Sequence, residues 1–293
     1  MYFRKYIMVI IITMGRLFKI FQYLSLDVVG GSLCVASMSV KLLNIIPNPI
    51  WWLILALSVW IFYSVDHILD SLKNKSKSQI LRHKFFFNNR KWLIPLVIAI
   101  TFINFLLVIT YLKYEIVISG IVLTTIIFVY FFALNTLGRH YRAYIPKELI
   151  IAGIYVVGIF LAPLIWYGSI PPPEVLFIII VLIIIVFMEG IMISYFDYEQ
   201  DIADGHVSFT TRHGKEKIIR YLRLLSVLIE ISLIIAIIRT NSDIIFASIL
   251  VLLLMNFFIG MIQLIPNNVV VKKFHRIIGE AIFYLPVIVF LFW

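Results

Sequence analysis

The sequence VLFIIIVLIIIVFMEGIMISYFDYEQDIAD, residues 175–204, joins a long apolar run to a group of acidic side chains. Its apolar part, 175–196, reaches the roughly 20 residues that an α-helix needs to cross a bilayer. Asp197, Asp201 and Asp204 follow at spacings of four and three residues, so a continuing helix would carry them on one face. The stretch therefore predicts a membrane-spanning helix that ends in a cluster of carboxylates.

The whole chain has the composition of a multi-pass membrane protein. Of its 293 residues, 62% are hydrophobic and 14% are charged, whereas soluble domains are about half apolar and a quarter charged. We predict an all-α integral membrane fold, a bundle of nine transmembrane helices over residues 19–293. Residues 1–18 combine basic side chains with a short apolar stretch, which predicts a separate interfacial helix. The nine predicted spans are 20–43, 48–69, 92–112, 115–135, 148–168, 175–196, 222–239, 242–265 and 277–293.

The basic residues predict how the bundle is oriented. All but three of the 25 Lys and Arg residues fall in the N-terminal segment or in alternate loops, on one side of the predicted bundle, and the exceptions are Lys41, Lys113 and Arg239. Cytoplasmic loops carry such an excess. We therefore expect a cytoplasmic N-terminus, an external C-terminus and a bacterial inner-membrane location. The net charge of +10 is then explained by contact with anionic membrane lipids, and no nucleic acid partner is expected.

A second pair of carboxylates ends an earlier span. Asp66 and Asp70 lie four residues apart, as Asp197 and Asp201 do. Ionisable groups at the edge of a bilayer are costly, so a functional role is the default interpretation. Both pairs are predicted to face the cytoplasm.

Carboxylates in this arrangement suit Mg²⁺, which takes phosphate oxygens among its other ligands. Basic side chains on the same side would complete a site for a diphosphate. A substrate with a diphosphate at one end and a long apolar chain at the other, an allylic prenyl diphosphate, satisfies both the acids and the apolar bundle. The basic candidates for binding it are Arg82, Lys84, Arg139, Lys147 and Arg212.

The two acidic motifs resemble those of the UbiA superfamily of intramembrane prenyltransferases. The chain resembles a divergent member of that superfamily. The family's second motif, D-x3-D-x3-G followed by R-x-G, corresponds to Asp197, Asp201, Gly205, Arg212 and Gly214. Its first motif, N-D-x2-D-x3-D, keeps only the two acids of the 66–70 pair. Phe62 and Tyr63 stand where the family has Asn and Asp, and Ile193 and Ser194 do so before the second motif.

The resemblance implies nine helices and Mg²⁺-dependent transfer of a prenyl group to an aromatic or lipid acceptor. The metal ligands and catalytic residues would be Asp66, Asp70, Asp197 and Asp201, with Asp204 as a further ligand. Tyr63 and Tyr195 are candidates for sheltering an allylic cation. Glu189, about two helical turns before Asp197, is a candidate for binding the acceptor. The acceptor, the prenyl length and the oligomeric state stay open.

Two other functions stay open. Glu189, Glu230 and Asp27 are ionisable groups within apolar spans, as in a secondary transporter. The acidic motifs lack some of the family's Asn and Asp residues, which is also compatible with a non-catalytic protein that binds isoprenoid lipids. A CDP-alcohol phosphotransferase is excluded, because Asp204-Gly205 is not followed by the required Ala-Arg.

Overall fold

The computed structural model of the protein describes residues 19–74, 81–136, 147–204 and 208–292, and within these ranges every regular element is helical. The predicted interfacial segment 1–18 lies outside them. In chain order the helices are α1 (Leu26–Leu42), α2 (Pro49–Asn74), α3 (Leu81–Tyr111), α4 (Tyr114–Thr136), α5 (Lys147–Tyr167), α6 (Pro173–Phe196), α7 (Tyr198–Asp204), α8 (Phe209–His213), α9 (Lys215–Arg239), α10 (Asp243–Leu264), α11 (Val269–Ala281) and α12 (Val287–Phe292), with a 3₁₀ turn at Ile282–Tyr284 between the last two.

Seven helical stretches of the described residues are long and apolar enough to cross a membrane. They confirm the predicted class, an all-α membrane protein. Each of the nine predicted spans coincides with a helix, but two are short: α1 has 17 residues, and the apolar part of α4 is Tyr114–Tyr130. The count of nine crossings stays a prediction.

Several helix boundaries differ from the hydropathy-based spans, because polar residues continue helices beyond their apolar parts. α3 begins at Leu81, eleven residues before the predicted span, and turns Arg82, His83 and Phe86 into the interior. α9 likewise begins at Lys215. The last predicted span is a broken helix, in which α11 ends at Ala281 and the chain turns through Pro286 before α12.

α6 lies at the centre of the bundle. It packs against α5, α9, α10 and α11, and its side chains are apolar all round, as expected of a helix buried on most sides. Ile178, Leu182, Ile185 and Met188 are fully buried. Large apolar side chains of the outer helices, such as Phe128 on α4, are exposed, which suits a surface that faces lipid.

Two glycines bring α1 against the broken C-terminal segment. A Cβ at Gly31 would lie 2.9 Å from the Cβ of Phe283, and one at Gly30 would collide with the Tyr284 hydroxyl. The Tyr284 hydroxyl donates a hydrogen bond of 2.9 Å to the Asp27 carbonyl oxygen. The absence of side chains at these two glycines therefore allows α1 to pack closely on this segment.

Candidate functional site

The acidic residues of both motifs lie at helix ends, as the sequence predicts. Asp66 and Asp70 are on α2, one turn apart. Asp197 is the turn residue between α6 and α7, and Asp201 is in α7. The Asp201 amide donates a hydrogen bond of 2.8 Å to the Asp197 carbonyl oxygen. The helical hydrogen-bond pattern therefore continues through the turn, although the two carboxylates have different partners.

Asp197 is bound to the C-terminal part of the chain. Its carboxylate is paired with the Arg276 guanidinium, and its Oδ1 lies 3.3 Å from His275 Nε2. Its residue surface is only 6% exposed. Burial by itself raises the pKa of the Asp197 carboxyl, but the positive charge of Arg276 and the contact with His275 outweigh burial and lower the pKa to about 2. The Asp197 carboxylate thus links the end of α6 to α11.

Lys147 interacts with carboxylates of both acidic motifs. It is the first residue of α5, and its ammonium interacts electrostatically with Asp66 and Asp70 of α2 and with Asp201 of α7. Lys147 also interacts with its neighbour Glu148. Carboxylates of both motifs, from helices far apart in the chain, therefore lie within electrostatic range of one cation.

The start of α5 also contacts α8, the short helix that comes after the second motif in the chain. The Phe209 amide donates a hydrogen bond of 3.2 Å to Glu148 Oε1, which satisfies one of the free amides at the start of α8. Ser208 and Thr211 cap the same helix reciprocally. Gly214 then joins α8 to α9 with φ of 81°, a conformation that favours glycine. This backbone requirement accounts for the glycine of the R-x-G element.

A cavity of about 170 Å³ lies between the helices of the bundle. Its walls come from α1, α2, α3, α5, α6, α11 and the 3₁₀ turn. Tyr155 and Phe283 form an apolar side, with ring centroids 6.1 Å apart. Tyr63 lines the cavity and interacts electrostatically with Asp66 of the first acidic motif.

A buried charge network forms the polar wall of the cavity. Arg82 Nη2 lies 3.7 Å from Glu280 Oε1, and both side chains are about nine-tenths buried. Arg82 also donates hydrogen bonds to the Gln22 carbonyl oxygen at 2.8 Å and to His67 Nε2 at 3.3 Å. Because an arginine only donates, the neutral His67 ring carries its proton on Nδ1, which lies 3.9 Å from Asp66 Oδ2.

The predicted binding residues lie in different environments. Tyr63, Arg82 and Glu189 line the cavity. Lys84 and Arg212 are exposed. Tyr195 packs on Phe196, with Lys215 Nζ over its ring at 5.7 Å from the centroid. Asp204 is the last residue of α7, and Arg139 lies outside the described residues.

The sequence analysis missed several cavity residues. His67, Tyr155, Arg276 and Glu280 all line the cavity, and none was singled out as a functional candidate. The signal for two of them was present: Arg276 and Glu280 are charged residues next to the apolar end of the chain, on a strongly amphipathic helix. Their pairing with Asp197 and Arg82 is long-range, so their own spacing did not indicate it.

The carboxylates of the two motifs suit a metal ion that takes few of its ligands from the protein. Within the described parts of the chain, no three His, Cys, Asp or Glu side chains are grouped closely enough to hold a metal ion by themselves. Mg²⁺ needs no such cage, because it often takes one or two carboxylates together with phosphate oxygens and waters. The carboxylates of Asp66, Asp70 and Asp201 around Lys147 fit that kind of site.

No family model, curated protein or solved structure matches this chain.

Proposed function

We propose that the protein is a membrane prenyltransferase, which binds an allylic prenyl diphosphate in the presence of Mg²⁺ and transfers its prenyl group to an aromatic or lipid acceptor. The observation that carries the proposal is the meeting of both acidic motifs at Lys147. Carboxylates clustered around a lysine beside an apolar bundle are suited to a ligand with a charged head and an oily tail. In the proposed orientation, this site opens to the cytoplasm.

Each part of the site has a proposed role. Lys147 attracts the diphosphate, and Asp66, Asp70 and Asp201 would hold the Mg²⁺ to which it binds. Bound Mg²⁺ would neutralise the charge that grows on the departing diphosphate. When the C1–O bond breaks, the rings of Tyr63 and Tyr155 shelter the positive carbon through their electron-rich faces. The apolar wall at Phe283 keeps water away from it.

Binding of farnesyl diphosphate to the purified protein tests the proposal without knowledge of the acceptor. We expect binding that requires Mg²⁺, is lost on addition of EDTA and weakens at least tenfold in Asp201→Asn, since hydrogen bonds and pairs with charged groups contribute about 1.5–3 kcal/mol. Glu199→Gln is the matched control, because Glu199 lies on the same helix and its side chain is 77% exposed. Mg²⁺-independent binding, or equal loss in both variants, would contradict the proposal.

The buried charge network supports a second candidate, a secondary transporter. Arg276 and Glu280 lie on the broken last helix and line the cavity, and ionisable groups on discontinuous helices are common at transport sites. Uptake into proteoliposomes that depends on an ion gradient, and is insensitive to EDTA, would favour this candidate. Tight binding of farnesyl diphosphate without any turnover on a lipid extract would instead favour a non-catalytic isoprenoid-binding protein.

A further inference from the structure

The polar wall of the cavity has unused hydrogen-bond acceptors. Glu189 Oε1, Glu280 Oε2 and Asp27 Oδ2 are all buried, and the described residues offer them no donor, except that the Glu280 and Asp27 carboxyls hydrogen-bond each other. The three residues are 8–9% exposed. Glu189 and Glu280 line the cavity, and the Asp27 carboxyl lies next to that of Glu280. A buried carboxylate oxygen without a donor is costly, so these oxygens are poised for a ligand.

The two arginines of the cavity do not supply donors to these carboxylate oxygens. Arg276 is paired with Asp197, and Arg82 is shared among Glu280, the Gln22 carbonyl oxygen and His67. The Glu280 and Asp27 carboxyls hydrogen-bond each other and therefore share one proton. Arg82, the cation that is not neutralised by Asp197, balances the remaining charge of that pair and leaves the Glu189 carboxylate without a cation of its own. The cavity therefore lacks positive charge and hydrogen-bond donors.

Packing around Glu189 keeps its carboxylate in place. Gly279 of α11 faces it so closely that a Cβ there would lie 2.8 Å from Glu189 Oε1. Glu189 also interacts electrostatically with both arginines, Arg82 and Arg276. The acceptor oxygen is thus held between α6 and α11 at the wall of the cavity.

We propose that the cavity binds a small primary amine in its ammonium form, with N–H groups directed at Glu189 and Glu280, the two carboxyls that line it. An ammonium has three donors and no acceptor, which suits the unused Glu189 oxygen and the missing positive charge. The volume of about 170 Å³ sets the size, since a cavity of about 150 Å³ accommodates benzene. The ligand has a single six-membered ring or an apolar group of similar size, which contacts Tyr155 and Phe283. The site shares Tyr155 and Phe283 with the proposed transfer reaction, but binding of an amine requires neither Mg²⁺ nor a diphosphate, so the two proposals can fail separately.

Four probes of one shape test the charge preference in the unmodified protein. Calorimetric titration in zwitterionic nanodiscs at pH 7 would compare cyclohexylamine, cyclohexanol, cyclohexanecarboxylate and methylcyclohexane. We expect cyclohexylamine to bind at least tenfold more tightly than each of the others. Tighter binding of the carboxylate would assign the cavity to anions through Arg82 and would overturn the proposal, as would equal affinity or no binding for all four.

A pair of variants on α6 locates the binding. Glu189→Gln keeps the shape of the side chain and removes its charge, so cyclohexylamine affinity should fall at least tenfold. Glu174→Gln lies on the same helix at an exposed position and should leave the affinity unchanged. If Glu189→Gln does not fold, the comparison of the four probes still decides the question. Unchanged affinity in a folded Glu189→Gln variant would overturn the proposed site.

Discussion

Lys147 interacts electrostatically with carboxylates of both acidic motifs, Asp66 and Asp70 of the first and Asp201 of the second. Its position depends on α5, which begins at this residue and continues into a helix that packs on α6. Without a ligand, the lysine balances the surrounding carboxylates. With a diphosphate bound, the same ammonium would contact the ligand. One side chain thus serves both the stability of the acidic cluster and the proposed binding.

Replacing Lys147 with glutamine should weaken Mg²⁺-dependent binding of farnesyl diphosphate by about tenfold or more, because a charged hydrogen bond to the diphosphate is lost. Lys217→Gln is the control, because Lys217 is exposed on α9. Equilibrium binding to both variants, measured at fixed Mg²⁺ and ionic strength, makes the comparison. Equal affinity in the two variants would remove Lys147 from the proposed site.

The ion pair of Asp197 leads to a prediction about how the stability of the fold depends on pH. Its pKa is lowered from 3.8 to about 2, so its ionised form stabilises the fold by about 2 kcal/mol. The stabilisation is complete above the unfolded-state pKa of 3.8 and disappears as the pH falls through about 2. Asp197→Asn should lower the thermal unfolding midpoint clearly at pH 6 and about half as much at pH 3. An equal shift at both pH values would contradict the ion pair with Arg276.

At the scale of elements, the broken C-terminal helix is held against α1 by close contact at glycines. The contact brings Phe283 and Tyr284 of the 3₁₀ turn to Gly31 and Gly30. It also brings Arg276 and Glu280, on the preceding helix, to the cavity wall. The break in the helix therefore positions the polar wall, since a continuous helix would not turn at this point.

Gly31→Ala should destabilise the protein by about 1–3 kcal/mol, the usual cost of overpacking, because its Cβ would lie 2.9 Å from the Phe283 Cβ, which cannot move without the backbone. Gly153→Ala is the control: it lies within α5 with no heavy atom within 4 Å of the added Cβ, so alanine should be neutral or slightly stabilising. Thermal unfolding in one detergent compares them. A Gly31→Ala midpoint equal to that of Gly153→Ala would show that this packing is unimportant.

At the scale of the whole molecule, hydropathy predicted the architecture well. A bilayer requires long apolar helices, and each predicted span coincides with a helix of the described chain. The boundaries were less predictable, because α3 and α9 begin with polar turns that hydropathy assigns to loops. α3 in particular carries Arg82 and His83 into the interior.

The site was only partly predictable from the sequence. Spacing identified the acids of both motifs, because residues four apart share a helix face. It did not reveal that Asp197 pairs with Arg276, a residue 79 positions away. His67 and Glu280 became recognisable only when folding brought α2, α3 and α11 around one cavity. Pairing between distant helices depends on packing, which a local pattern does not encode.

The central claim is that the two acidic motifs form one binding site, and a double-mutant cycle tests it most directly. Mg²⁺-dependent affinity for farnesyl diphosphate would be measured for the unmodified protein, Asp66→Asn, Asp201→Asn and the double variant. If both carboxylates act on one ligand, the effects of the two substitutions should be non-additive, with a coupling energy of about 0.5–3 kcal/mol. Simple additivity, or affinity unaffected by either substitution, would contradict the shared site.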